Sequence, residues 1–523
     1  MGTSAGVGRI ASDRQTKAAA ALLAVLGFIV LSVQAIIGGS TSDLAYLGIG
    51  IILVGVTGRI LSNWRDGFLT FFVWLLFEDL IRKYLGNNML IYFAKDFLVG
   101  ITYLSFMIAL RRGTVKTLRP PFALTLGLFF GLGIIQVFNT NSPSIFFGLL
   151  GLKLYFYYAP LMFITYAIMN TEEDLRRFLV FNMGLAGIIA LLGIIQSIVG
   201  LDFLNPATLA PELQLLGRLT RVSPLTGVLV ARPTSVFVSD GRFAAYMVLM
   251  FIMGMGTAGY LLLRSHRGRL VVFPSIALCA VGAVMSGSRG AFVFVAASSI
   301  VVSAGVLWGA PWRWRAGHRL VRAIRRSVVL IALGLILLVV VFPAAIGARW
   351  TFYEETMSPD SAAFELGTRV WDYPFGNLQT AFTRPNWVWG NGIGTASLGL
   401  QYISGRLGIN APPIGVESGY GVLLVELGLL GLGLWIVWTS HLMIAAWRVA
   451  RKVKETAFFP IAFAVVWFSF ILLFVNTFAS IVAYQNYTSN AYLWLLLGIL
   501  FRLPDLAARS AGISAPAKPG RVA

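Results

Sequence analysis

The sequence predicts an all-α polytopic membrane protein of about 12 to 14 transmembrane helices with one large extracytoplasmic loop. Three observations predict it. Of 523 residues, 58% are hydrophobic and only 12% are charged, with a mean hydropathy of +0.80, which is too apolar for a soluble globular chain. The apolar runs are mostly close to the ~20 residues that cross a hydrocarbon core. They lack the period-2 alternation of barrel strands, which leaves helices as the structure that satisfies its backbone inside lipid.

In chain order, residues 1–17 form a basic N-terminal segment with Arg9, Arg14 and Lys17. The apolar run after it has no convincing cleavage site, so it is expected to be retained as the first span. Candidate spans follow at 18–37, 44–61, 67–81, 88–110, 122–138, 145–169, 178–199, 243–263, 270–286, 290–308, 327–346, 418–440, 457–478 and 490–501. The third is interrupted by Glu78 and Asp79 and the last is short, hence the range of twelve to fourteen. Residues 18–242 make an N-terminal transmembrane half with a first outer loop. Residues 243–502 make a second half containing the large loop 347–417. Residues 503–523, rich in Ala, Pro, Ser and Lys, read as a disordered cytoplasmic tail.

Orientation follows from the basic residues, because lysine and arginine mark the loops that stay cytoplasmic. Most of the 41 fall in alternate connections, among them Arg111 to Arg119, Arg264 to Arg269, Arg313 to Arg326 and Arg448 to Lys454. Both termini are therefore expected on the cytoplasmic side, with residues 200–242 and 347–417 outside. Membrane topology accounts for the net charge of +20 better than nucleic-acid binding does, since the basic residues are dispersed among the spans. The single cysteine, Cys279, excludes a disulfide framework, and it reads as core packing. His266, His318 and His441 all fall in predicted cytoplasmic segments, so no outer histidine site is expected and no cofactor is assigned.

Four stretches carry candidate chemistry. Arg232 and Arg242 sit where the first outer loop re-enters the membrane, either snorkelling or clamping phosphate with the bidentate guanidinium fork. Arg289 lies in the turn Ser286-Gly287-Ser288-Arg289-Gly290 between two apolar spans, where a turn needs glycine and serine but not arginine. The large loop brings Arg369, Trp371 and Asp372, then Trp387, Trp389 and the run Gly390-Asn391-Gly392-Ile393-Gly394. Its tryptophans are interfacial anchors or sugar platforms, and its glycines a tight turn or a close approach to a ligand. Glu417 stands where the polar loop meets an apolar helix, as a general base or as a helix-capping carboxylate.

The order RPTSVFVSDGRFAAY, MSGSRGAF, GTRVW, WGNGIG and VESGYGVLLVELGLLGLGLW, over about residues 230–440, resembles the O-antigen ligase and Wzy-type polysaccharide polymerase superfamily. The resemblance implies a metal-independent, lipid-dependent glycosyltransferase in the inner membrane. Its active site would face outward and move a glycan from an undecaprenyl-diphosphate carrier to an acceptor hydroxyl. It also implies that Arg289 and Arg369 handle the diphosphate. The family's usual His-Asn pair, nine residues before the glutamate of Glu-x-Gly, is replaced here by Glu417-Ser418, a departure that bears on the ligase subtype.

The leading expectation is a polymerase of exopolysaccharide or O-antigen repeat units, with Glu417, Arg289 and Arg369 catalytic. Arg232, Arg242, Asp372, Trp371 and Trp389 are expected to bind substrate. The partners are the undecaprenyl-diphosphate-linked oligosaccharide donor, a glycan acceptor, the lipid bilayer, and a chain-length regulator or export machinery. An O-antigen ligase transferring to lipid A-core is the alternative, and a lipid-linked oligosaccharide flippase is the reading from another class. Transport predicts ionisable residues buried through several spans; the first half is read as nearly free of charge apart from Lys95, Asp96 and Lys153.

Overall fold

A computed structural model describes residues 54–86, 89–206, 219–264, 267–309, 339–398 and 415–510, with isolated positions 209, 325, 329, 336, 400, 404, 405, 408 and 409. The N-terminal segment, the span expected at 18–37, most of that at 44–61, half of that at 327–346, His266, His318 and residues 511–523 lie outside the described residues.

The chain is an all-α polytopic membrane protein. Among the described residues, eight helices are long and apolar enough to cross a bilayer, from Leu90–Arg111 to Tyr487–Ser510, and Ala123–Val137 and Arg269–Met285 are shorter apolar helices. They coincide with the fourth to tenth and the twelfth to fourteenth expected spans. The described residues divide into two compact units, one within Met1–Phe72 and Ala94–Arg112, the other within Val73–Phe93 and Gly113–Ala523. In the first unit Trp64 meets Phe106 edge to face at 5.1 Å, and Thr102 Oγ1 bonds back to Leu98 O at 2.7 Å.

Helices α1 (Trp64–Tyr84) and α2 (Met89–Arg111) contribute to both units. The second unit continues with α3 (Ala123–Val137), α4 (Ile145–Phe156), α5 (Leu161–Ile168) and α6 (Glu172–Val199). A hairpin of β1 (Thr220–Val222) and β2 (Leu229–Ala231) precedes α7 (Asp240–Arg264), α8 (Arg269–Met285), α9 (Arg289–Gly309) and α10 (Pro343–Met357). The π-turn Thr368–Asp372 leads into α11 (Tyr373–Ala381), and α12 (Gly419–Lys452), α13 (Phe459–Phe470) and α14 (Tyr487–Ser510) complete the bundle.

Lipid tails are as apolar as leucine, so close packing has to hold the helices together. On α7, Gly256 and Gly259 face Ala464 and Pro460 of α13, and α7 also packs on α8 and α9. The fully buried Trp435 and Trp438 of α12 pack with Phe129 of α3, and Trp438 stacks on Trp494 of α14 at 6.1 Å. Such aromatic pairs contribute about 0.5–1.5 kcal/mol each beyond burial.

Three expectations need correction. Glu78 and Asp79 do not break the third helix, though it is not among those apolar enough to cross a bilayer: α1 runs through them, and Glu78, Asp79, Arg82 and Lys83 are all buried. Asp79 reaches Arg242 at 2.7 Å and Arg82 at 3.6 Å, and Lys83 Nζ donates to Thr234 Oγ1 and Ser235 O, both at 2.8 Å. The N-terminal half is therefore not nearly free of charge, because the charges neutralise and bond one another within the protein. The last span does not end near 501 with a tail beginning at 503, since α14 continues through Pro504 to Ser510. Arg502 Nε donates to Met169 O at 2.8 Å and Arg502 Nη1 pairs with Asp505 at 2.6 Å, which ties that extension to the end of α5.

Candidate functional site

The site is built around the turn between α8 and α9. Ser288 Oγ accepts from Ala291 N at 3.4 Å, so α9 starts with Arg289 as its first residue. Arg349 of α10 is buried and bonds to both sides of the turn's neighbourhood, Nε to Met285 O at 3.0 Å and Nη2 to Ala231 O at 2.9 Å. Tyr353, one turn on, donates to Val284 O at 2.8 Å. These bonds fasten the Ser-Arg turn to the β-hairpin, whose register pairs Arg221 with Val230. Glu355 accepts from Leu225 N at 2.9 Å and from the Thr226 hydroxyl at 2.6 Å, and so holds the hairpin's tip.

Arg221, Arg232, Arg289 and Arg369 are gathered here. Burial, then the neighbouring Arg232 and Arg289 guanidinium groups, push Arg221 down to about 10, which still leaves it charged at neutral pH. The ring of the buried Phe352 lies 5.7 Å from the Arg289 guanidinium and 5.9 Å from that of Arg221. Arg232 pairs with Asp240. Arg289 Nη1 pairs with Glu365 Oε2 at 2.8 Å, and Arg369 Nε approaches the same oxygen at 3.8 Å. Four guanidinium groups against the two carboxylates leave two positive charges in excess. Arg289 holds the Glu365 carboxyl below its usual range despite the cost of burial.

From Glu365 the contacts run to the expected base. Glu365, Arg369 and Tyr373 stand four residues apart on a helical path that opens into the π-turn, a widening often found at functional sites. The Arg369 guanidinium lies 5.0 Å from the centre of the Tyr373 ring. The neighbouring Glu417 carboxylate raises the Tyr373 phenol above its ordinary value. Asn377 braces the pair: its Nδ2 donates to Tyr373 O at 2.8 Å and its Oδ1 accepts from Glu417 N at 3.1 Å. Tyr373, Asn377 and Glu417, with Ala396 and Val416, line an open cleft of about 240 Å³. The structure thus brings Arg289, Arg369 and Glu417 into one connected set, joined by Glu365, Tyr373 and Asn377. Glu417 does not cap α12: Ser418 is the N-cap residue, no side chain makes a cap bond there, and the Ser418 hydroxyl donates to Phe478 O.

The other expected residues divide. Arg232 joins the arginine group. Arg242 is engaged with Asp79 and lies 4.6 Å from the centre of the Tyr487 ring. Asp372 is exposed on the π-turn. Trp371 is 61% exposed and stacks on Phe375 at 5.9 Å, an aromatic ledge beside Arg369 and Tyr373. Trp389 is exposed, and its carbonyl accepts from Gln136 Nε2 at 2.7 Å.

The glycine run is a docking element for the protein's own backbone. Asn391 N and Gly392 N donate to Val425 O and Glu426 O at 2.8 and 3.0 Å, across the place where Gly428 breaks α12 with φ 73°. A Cβ on Gly390, itself at φ 87°, would stand 2.5 Å from Glu426 O and 2.8 Å from Gly428 N, so the approach admits only glycine. Glu426, fully buried, accepts from Ala396 N, the Ser397 hydroxyl and the Tyr155 hydroxyl at 2.8, 2.7 and 3.0 Å. Its place in Glu-x-Gly is structural: it pins the large loop to the bundle.

Arg221, Arg349, Glu365 and Tyr373 had no part in the sequence expectations. Glu365, Arg369 and Tyr373 carried a signal in their four-residue spacing. Among the described residues no three His, Cys, Asp or Glu side chains gather as metal ligands would. No protein-family model matches the chain, and no match to a curated protein was found.

Proposed function

We propose that the protein is a polysaccharide polymerase like those of the O-antigen ligase and Wzy-type superfamily. It would have about 12 to 14 spans in a bacterial inner membrane, with the large loop and the arginine group on the outer side. The observation that carries this reading is the excess of two positive charges among Arg221, Arg232, Arg289 and Arg369. It matches the charge of a diphosphate diester such as an undecaprenyl-diphosphate glycan.

In this reaction an acceptor sugar hydroxyl attacks the anomeric carbon of the donor glycan. The bond from that carbon to the phosphate oxygen breaks, and undecaprenyl diphosphate leaves with the electron pair. The charge that grows on the leaving group is stabilised by fixed guanidinium groups, Arg289 and Arg369 foremost. Glu417 takes the proton from the attacking hydroxyl, a contribution of roughly 10²- to 10⁴-fold in rate. The Trp371 and Phe375 ledge offers a face on which a sugar ring stacks.

Purified protein in lipid, given an undecaprenyl-diphosphate glycan alone, should build a ladder of longer lipid-linked glycans. Transfer only after lipid A-core is added would make it a ligase. The buried Asp79, Arg82 and Lys83, with the half-buried Arg242 paired to Asp79, are the observation that favours a transport reading. Unchanged glycan that crosses the membrane would support that reading and overturn the enzyme.

A further inference from the structure

We infer that Gln196 is a positioning residue for the diphosphate site: with Lys83 it fixes the buried segment that carries Arg232, whose Nε is left as a donor for the carrier anion. The inference rests on the polymerase reading, and within it on the arginine group as the place where the diphosphate binds.

Residues 232–239, between β2 and α7, belong to neither helix nor strand, yet Thr234 and Ser235 are buried. Ser235 has φ 51°, a left-handed conformation that a residue with a side chain keeps only when its surroundings impose it. Buried backbone outside regular structure needs partners for its N–H and C=O groups. Gln196, fully buried near the end of α6, supplies them: its Oε1 accepts from Thr234 N at 2.8 Å and from Ser235 N at 2.7 Å. Its Nε2 donates to Phe203 O at 2.6 Å and to Leu201 O at 3.3 Å, so one end of the amide meets two donors and the other two acceptors. A carboxamide is the side chain that satisfies such a set. Lys83 adds its bonds to Thr234 Oγ1 and Ser235 O, and the Ser235 hydroxyl donates to Ile189 O at 2.7 Å.

Arg232 stands two residues before this anchor. On its other flank Arg232 N donates to Leu219 O at 2.7 Å, and Arg349 holds Ala231 O. The backbone is thus fixed on both sides of the arginine, while its side chain, 14% exposed, pairs with Asp240. Among the described residues, Arg232 Nε is buried without a hydrogen-bond partner. A buried donor left unpaired is costly, and an anion oxygen would recover that cost through a charge-assisted bond. Such a donor acts on developing charge only when its place is set in advance, which is what the Gln196 amide and the Lys83 ammonium provide.

Binding of undecaprenyl diphosphate to the full-length protein in nanodiscs tests this as a double-mutant cycle. Gln196→Met keeps the length of the side chain and loses its amide, whereas Arg232→Lys keeps the charge and loses Nε. Each should weaken binding by about five- to tenfold. Together they should weaken it by no more than about twofold beyond the stronger single variant, because Gln196 acts through Arg232. Losses that multiply would show that Gln196 acts elsewhere and would overturn the inference, as would parent-like binding by Gln196→Met. Should Gln196→Met fail to fold, Thr234→Val, which removes the hydroxyl bonded to Lys83, carries the same comparison. It should weaken binding by about two- to threefold in the parent and have no effect in the Arg232→Lys background, and Thr234→Ser should recover most of the loss. Parent-like binding by Thr234→Val would then overturn the inference. An Arg232→Lys protein that binds like the parent would overturn it too and leave the Arg289 and Arg369 clamp standing. A parent that binds no undecaprenyl diphosphate would remove the polymerase reading and the inference with it.

Discussion

Arg289 Nη1 and Glu365 Oε2 stand 2.8 Å apart, and the two partners differ in exposure: the Arg289 side chain is 14% exposed and that of Glu365 42%. The arginine is fixed by the turn and by α9, while the carboxylate lies on a more open segment beside Arg369. An anion that enters the cluster competes with Glu365 for the same donors. Replacing Glu365 by Gln should therefore tighten binding of undecaprenyl diphosphate, by about two- to fivefold given how little a half-exposed ion pair contributes. Isothermal titration in nanodiscs would read this; weaker binding would mean that Glu365 orders the clamp more than it blocks it.

The same pair sets a pH dependence. The folded Glu365 carboxyl lies below its ordinary 4.5 because Arg289 bonds its charged form, so the tether is fully present above that value and is lost as pH falls through the folded one. A spin label at Asp360→Cys should be restrained at pH 7 and should gain mobility only as pH falls below the ordinary carboxylate value and through the lower folded one. In a Glu365→Gln background it should be mobile throughout. Equal mobility in both proteins at pH 7 would count against the tether.

How much of this was readable in advance depends on what each residue touches. The spans were legible because bilayer thickness imposes a length on every apolar run, and Arg289 because an arginine between two such runs is costly without an anion. Glu365 and Tyr373 were hidden by treating residues 347–417 as a loop, which gave no reason to apply a four-residue spacing. Arg221 sits on a three-residue strand, too short for alternation to show, and Arg349 acts through carbonyls of Met285 and Ala231 that are distant in sequence. The role of Glu426 depends on three partners, none closer than 29 residues along the chain, so spacing could not reveal it.

Glu426 provides the stability test. Glu426→Ala leaves the Tyr155 hydroxyl, the Ser397 hydroxyl and Ala396 N without their acceptor inside the protein. Buried donors left unsatisfied cost about 1–3 kcal/mol each when water cannot reach them. The variant should melt at clearly lower temperature in detergent and be cut by protease near the Gly390 to Gly394 run. Glu426→Gln, which keeps an acceptor oxygen, should lose less. Equal melting temperatures for Glu426→Ala and the parent protein would remove Glu426 from its structural role.

Topology has a direct check. Cys279 is buried, so single cysteines introduced at the exposed Asp360 and Ser510 can be read without interference from it. An impermeant maleimide should label Asp360→Cys from the outside of intact cells and Ser510→Cys only after lysis. The reverse pattern would place the arginine group on the cytoplasmic face, away from the proposed chemistry.

The central claim is that the arginine group holds the diphosphate of a carrier lipid. The most direct measurement is binding of undecaprenyl diphosphate to the purified protein in nanodiscs with a chelator present, for the parent and for the double variant Arg289→Lys and Arg369→Lys. Lysine keeps each charge but loses the fork. The account predicts binding by the parent and a loss of about tenfold or more in a double variant that melts normally. Undiminished binding by that folded double variant would contradict it.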